Sequence, residues 1–247
     1  SSAAVSKPTF IDIEDASWMW GILITDKDRV STTGICNFPS HMGSLNYGYA
    51  SVGGWRRISP KLYNQIPESD VRKGWFLDDT GVSINLPAAA QAYITKKSAP
   101  VYTQVKYGPM NNEWGSNNNA TDVILMRVEE MYLIKAEAQA MNNDVSGGVN
   151  TLNSFVNTYR DPSYKCTATT SEAVQEAVWH QRRIEFWGEG LAYFDIMRLN
   201  KGVNRLGCGF PKTAEFNIAA GDPVQIYSIP NKEVQYNPLL ENLSLIH

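Results

Sequence analysis

The chain has 247 residues, with 22 Lys and Arg against 25 Asp and Glu for a net charge of −3, and is 43% hydrophobic and 11% aromatic. This is globular composition, too apolar for a disordered segment, and at this length folding buries roughly three quarters of the unfolded surface. With no Lys/Arg block to neutralise phosphates, a nucleic-acid surface is excluded. No stretch approaches the roughly 18 apolar residues that span a bilayer, and residues 1–7 lack the regions of a signal peptide, so the chain reads as soluble. Cys36, Cys166 and Cys208 are far apart and odd in number, which gives no CxxC clamp and at most one bridge. His41, His180 and His247 show no HExxH or HxH spacing, and neither a metal nor a cofactor is expected.

Residues 1–120 are broken by Gly, Pro, Asn and Ser and read as loops, short strands and brief helices. Ser17 to Ile24 suits a strand, followed by a turn at Asp26-Lys27-Asp28; Trp18 and Trp20, two apart on one face, read as core. Asn37 to Trp55 is a Gly-, Ser- and Tyr-rich loop. Ser59-Pro60 opens a short helix with Leu62 and Tyr63, closed by Pro67, and Asp70 begins another. Asn111 to Asn119 is an Asn-rich connection holding Trp114.

From Asp122, a plausible N-cap, the pattern is helical through Asn142. Leu125, Val128, Tyr132 and Ala136 form one stripe, and Ile124, Met131, Ile134, Ala138 and Met141 a second, which predicts an inner helix packed on both sides. Residues 143–148 turn the chain into a helix over Val149–Tyr159. A third helix starts at Ser171, and beyond Gly188-Glu189-Gly190 a fourth segment runs to Asn200. The expected fold is therefore mainly α, with two TPR-like helical hairpins as in an α-α superhelix. It is divided into a loop-rich, partly stranded elaboration (1–120), the hairpins (121–202) and an extended tail (203–247), in which Pro230 and Pro238 limit further helix.

The segments Val123 to Ala138 and Arg182-Arg183-Ile184-Glu185-Phe186-Trp187-Gly188-Glu189-Gly190, then Tyr193-Phe194-Asp195-Ile196-Met197-Arg198, resemble the two signature helices of the SusD/RagB family. Ser228-Ile229-Pro230 with Glu233 and Asn237-Pro238 resembles that family's closing pattern. Asn37-Phe38 through Tyr49, Leu62-Tyr63 and Asp70-Val71-Arg72 add to it, so the resemblance runs from about Asp12 to Asn242. It implies a nutrient-uptake lipoprotein of the Bacteroidetes outer membrane, exposed at the cell surface. Its implied partners are a glycan and a SusC-like TonB-dependent transporter, with the membrane held only through a lipid anchor that this chain does not carry. Family members are about twice as long, which suggests a C-terminal half.

Sugar capture without catalysis needs flat apolar faces for pyranose C–H groups, flanked by amides, hydroxyls or Arg. Tyr47, Tyr49 and Trp55, with Asn46 and Arg56 as polar partners, and Trp114 with Asn112, are the candidate carbohydrate-binding residues. Loop aromatics also fold back onto the core, so each ring has two readings, while at least one exposed ring is expected in the group. A glycoside hydrolase would need two facing carboxyls, and Glu185 and Glu189, four apart and able to share a helix face, are the pair to weigh, whereas the adjacent Glu129-Glu130 and Asp78-Asp79 point different ways. Beside Arg182, Arg183 and Arg198 they read instead as salt-bridge residues, and no residue is assigned as catalytic. Asn142-Asn143-Asp144 reads as a turn rather than a calcium loop. The remaining alternative is an interaction module that docks to the transporter and binds no glycan.

Overall fold

The computed structural model describes residues 1–28 and 37–237, so that Cys36, Pro238 and His247 lie outside the described residues. Two compact units divide the chain, Ser1–Gly190 and Leu191–His247. The first contains α1 (Ser2–Val5), β1 (Trp18–Ile22), α2 (Phe38–Met42), α3 (Pro60–Tyr63) and α4 (Ala88–Lys96), then β2 (Val123–Arg127), α5 (Val128–Met141), α6 (Val145–Tyr159) and α7 (Ser171–Glu185). The fold is mainly α and TPR-like at its centre, where α5 packs against both α6 and α7. Among the described residues no helix is long and apolar enough to cross a membrane.

Short polar caps set most of these boundaries. Asn37 accepts from Ser40 N at 2.7 Å to start α2, and Ser59 caps α3 from Lys61 N at 3.2 Å. Asp70 caps a 3₁₀ turn at Val71–Trp75, and Thr170 caps α7 from Ala173 N. Helix α4 was not anticipated. Its start at Pro87 has no side-chain cap, and Ala-rich propensity was its main signal in the sequence.

The long helix expected from Asp122 begins six residues later. Val123–Arg127 is instead a strand, antiparallel to β1 with Trp18 opposite Arg127, Gly21 opposite Ile124 and Ile22 opposite Val123. The apolar run found a ladder partner about a hundred residues upstream, which a helical period cannot reveal. Asp122 is no helix cap: its carboxylate accepts Ile13 N at 2.8 Å and Ile24 N at 2.7 Å, fixing both ends of the segment that carries β1. A register irregularity on either side of Trp20 breaks the alternation, so Trp18 packs on Phe10 whereas Trp20 is 63% exposed. The reading of both tryptophans as core therefore holds for Trp18 alone.

Helix α5 buries one face and not two. Glu129, Leu133, Ala136, Glu137 and Ala140 point inward, while Tyr132, Ile134 and Met141 are exposed. The inward carboxylates have partners, Arg160 for Glu129 at 3.0 Å and Gln175 for Glu137 at 2.9 Å, which is why the apolar stripes, of which only Ala136 lies on this face, did not mark it.

Helix α6 starts four residues earlier than expected, because Asp144 caps it from Gly147 N at 2.8 Å and both glycines continue the helix. Gly148 is the contact that lets α5 and α6 close. A Cβ there would sit 2.7 Å from the Ala136 carbonyl oxygen and 3.0 Å from the Ala140 methyl. Gly148→Ala is accordingly expected to destabilise the first unit by about 1–3 kcal/mol in urea unfolding, although alanine is the better helix former.

In the second unit, α8 (Ala192–Arg198) is followed by a two-residue ladder between β3 (Val203–Asn204) and β4 (Asn217–Ile218). Arg205 lies over the Phe210 and Phe216 rings at 5.3 and 4.8 Å. Tyr193 donates to Gln225 O at 2.7 Å and packs on Tyr227. Residues 226–230 are not helical, but Pro230 precedes a helix, α9 (Asn231–Tyr236), where the sequence had suggested none. Proline suits that position, since its missing N–H costs a helix start nothing.

Candidate functional site

The Gly-rich loop after α2 is held by its own polar groups. Ser40 receives Tyr49 N on its hydroxyl at 2.9 Å and Ala50 N on its carbonyl at 3.0 Å, and Ser51 Oγ receives Gly48 N at 3.1 Å. Gly48 is required there, because a Cβ would lie 2.6 Å from Ser40 Oγ. The loop also pairs with the Asn-rich connection: Gly115 N donates to Leu45 O at 2.8 Å and Tyr47 N to Ser116 O at 2.7 Å. Gly115 has φ +84°, and a side chain there would strike the Tyr93 ring.

This scaffold turns two rings outward. Tyr47 is 50% and Tyr49 41% exposed, whereas Leu45, Asn46, Gly48 and Ala50 between and beside them are buried. Tyr49 stacks on His41 at 4.6 Å between centroids, with the Arg56 guanidinium 5.6 Å from its ring centre. Arg56 is fixed by Gly54 O at 2.9 Å and His41 Nδ1 at 3.3 Å. Lys97 brings its ammonium 5.3 Å from the Tyr47 centroid and 5.7 Å from that of Tyr93. Tyr93 in turn donates to Asn46 O at 3.1 Å.

The other candidates sit lower. Trp55 and Trp114 are half-buried and pack against the cluster of Leu45, Leu77, Ala90, Ile94 and Val105, so each offers an edge rather than a full face. Asn46, expected as a surface partner, lies inside, with its amide donating to Asn119. It braces the loop and does not face solvent. Asn112 is exposed. Sequence reasoning missed His41, Tyr93 and Lys97, which reach the rings from α2, α4 and the residue after α4. Trp55→Ala is expected to lower the melting temperature by several degrees in calorimetry, at a cost of about 2–4 kcal/mol set by lost packing.

The carboxylate pair considered for hydrolysis occupies a different environment. Glu185 is fully buried and accepts from Arg160 at 2.8 Å, Arg127 at 2.8 Å and Arg72 at 3.2 Å. Glu189, past the end of α7, pairs with Lys106 at 2.5 Å and Arg127 at 2.8 Å. With Asp70 on Arg72 and Glu129 on Arg160, these groups make an interlocked set of four cations and four carboxylates. Burial alone would raise the Glu185 carboxyl, but the arginines hold it well below the usual range. Both carboxylates are thus committed to cations and do not flank an open cleft.

Lys106 donates to Glu189, Glu185 O and Trp187 O, with its ammonium 4.6 Å from the Phe10 and Trp75 ring centres. Burial, assisted by Arg127 and opposed by Glu189 and Glu185, pulls it from 10.5 to about 8. The unfolded chain then binds more protons than the folded one between about pH 8 and 10.4, so stability rises with pH across that window. Above about pH 10 the tyrosines reverse the trend, since burial holds Tyr107 un-ionised in the folded state. Urea midpoints at about pH 7.5 and about pH 9.5 check this. The wild-type midpoint is expected to rise between them and that of Lys106→Met to stay level.

The sequence profile of the SusD family matches residues 75–243. No curated protein sequence matches the chain. Among solved structures, a SusD-like carbohydrate binding protein from Bacteroides vulgatus superposes with a TM-score of 0.66 at 22% identity, covering 96% of this chain and 50% of that one. A SusD superfamily protein from Bacteroides thetaiotaomicron gives 0.66 at 23%, covering 90% and 47%. A third, from Parabacteroides distasonis, gives 0.59 at 14%, covering 94% and 52%. The chain spans about half the length of these structures.

Proposed function

The chain belongs to the SusD family, and from that premise we propose that it captures an oligo- or polysaccharide without cleaving it. The observation that carries this reading is the pair of outward rings, Tyr47 and Tyr49, on a loop pinned by buried hydrogen bonds and flanked by Lys97 and Arg56. Flat faces beside fixed donors suit a pyranose, whose C–H face stacks while its hydroxyls accept from the cations. A similar structure being described as a carbohydrate binding protein supports the same chemistry. In this reading the protein works at the cell surface of a Bacteroidetes outer membrane and passes glycan to a SusC-like TonB-dependent transporter. The three segments 1–120, 121–202 and 203–247 serve as binding elaboration, helical scaffold and tail.

A second reading, docking to the transporter with no glycan bound, draws on the exposed apolar side chains of the β1–β2 ribbon, Met19, Trp20, Ile22 and Leu125. Affinity electrophoresis through gels holding plant, microbial and host polysaccharides, with reducing-sugar release followed in parallel, separates these. Retardation by one polysaccharide with no sugar released is the expected result. Retardation by none favours the docking reading, and sugar release overturns both.

A further inference from the structure

A cleft of about 280 Å³ opens beside α3, distinct from the loop platform and lined by Tyr63, Asn64, Glu68, Lys73, Asp79 and Tyr102 over a floor at Phe76. That volume is at the small end for a ligand site and matches one monosaccharide better than a chain. The Tyr63 and Tyr102 rings meet at 5.2 Å and 59°, with Tyr63 buried in the core at 8% exposure and Tyr102 half-buried beside it, so the pair presents edges and hydroxyls rather than a full face. Lys73 holds its ammonium 5.0 Å from the Tyr63 centroid and 2.5 Å from Glu68.

The opposite wall is built in advance. Asp78 accepts Thr80 N at 2.8 Å, Thr80 Oγ1 at 2.7 Å and Val82 N at 3.0 Å, closing a turn through Gly81 at φ +84°. Burial would raise its carboxyl, but these bonds keep it below the ordinary value. That turn sets Asp79 at the mouth, exposed and with no hydrogen bond among the described residues. The Tyr63 and Tyr102 hydroxyls likewise make none among the described residues, and both residues line the cleft with Asp79.

Charge then selects the ligand. Glu68, Asp78 and Asp79 against Lys73 give the lining a net charge of −2 (1 − 3). Burial together with these three carboxylates pushes the Tyr63 hydroxyl up to about 12, so it remains a donor at any working pH. We propose that this cleft binds one pyranose unit that is neutral or carries an amine, and turns away uronate and sulfated units. The half-buried Tyr102 edge meets the C–H side of the ring, Asp79 and Glu68 accept from its hydroxyls or ammonium, and a ligand carboxylate meets like charge.

Saturation-transfer NMR on the whole chain with methyl glucoside, glucosamine and glucuronate tests this. Transfer is expected to glucosamine or methyl glucoside, with glucuronate at least about fivefold weaker, the worth of one like-charge contact near 4 Å in water. Asp79→Asn, at an exposed and unbonded side chain, leaves the fold intact and narrows that gap. Tyr102→Ala abolishes the transfer; if it fails to fold, Tyr102→Phe keeps the ring and weakens the signal through the hydroxyl alone. No transfer from any of the three sugars, glucuronate equal or stronger, or a signal that survives Tyr102→Ala and disappears in Tyr47→Ala/Tyr49→Ala each overturns the proposal. Absence of polysaccharide retardation by the wild-type chain with this signal present counts against the loop platform alone.

Discussion

Glu185→Gln is expected to destabilise the first unit by about 3–5 kcal/mol, because it leaves three buried guanidiniums sharing too little negative charge. Glu185 lies at the centre of the set, bonded to Arg72, Arg127 and Arg160, and its side chain has no access to water that could compensate. Lys212→Gln is the matching control. Its pair with Glu215 at 3.1 Å rests on a Lys side chain that is 96% exposed, so its loss is expected to fall within about 0.5 kcal/mol. Urea unfolding of both variants measures the contrast. The sign with pH follows from the depressed Glu185 carboxyl: its contribution is present above the unfolded carboxylate value near 4.3 and is lost as pH falls below it. Glu185→Gln therefore unfolds with a shallower acid branch than the wild type. If its unfolding midpoint matches the wild type, the ion set is not what holds α7 to β2.

Replacing the two outward rings together, Tyr47→Ala/Tyr49→Ala, is expected to weaken glycan binding about thirtyfold, roughly 2 kcal/mol, while the melting temperature stays within about 2 °C. Their exposure sets that split: the rings cover little of the core, and the loop beneath is fixed by Ser40, Ser51 and Gly115 rather than by the phenols. Isothermal calorimetry with an oligosaccharide cut from whichever polysaccharide retards the chain gives the affinity, and scanning calorimetry the stability. Equal loss of fold and affinity shows that the rings act as core.

The helical centre was legible in the sequence because α6 and α7 carry Leu152, Phe155 and Val156, and Val174 and Val178, at helical spacing between polar caps. The inner face of α5 was hidden for the opposite reason. Glu129 and Glu137 are buried, and only the arrival of Arg160 and Gln175 from later elements makes that affordable. Strand β2 was misread because Val123 to Arg127 satisfies a helical stripe equally well, and its partner is distant in the chain. Of the candidate site, composition marked the Gly- and Tyr-rich loop but not which rings it turns outward. That alternation depends on Ser40, on Asn46 turning inward and on Gly115 pairing with Leu45, none of which has a periodic signature. Lys97 and His41 were out of reach for the same reason, being brought to the rings by tertiary folding alone.

The most direct test of the Tyr47 and Tyr49 platform is a fluorine NMR titration of the chain labelled with 3-fluorotyrosine, adding the oligosaccharide of the retarding polysaccharide. The Tyr47 and Tyr49 resonances, assigned by their disappearance in Tyr47→Phe and Tyr49→Phe, should shift in a saturable way while that of buried Tyr107 stays fixed. Saturable binding that leaves both resonances unmoved would contradict the account, placing the glycan elsewhere on the chain.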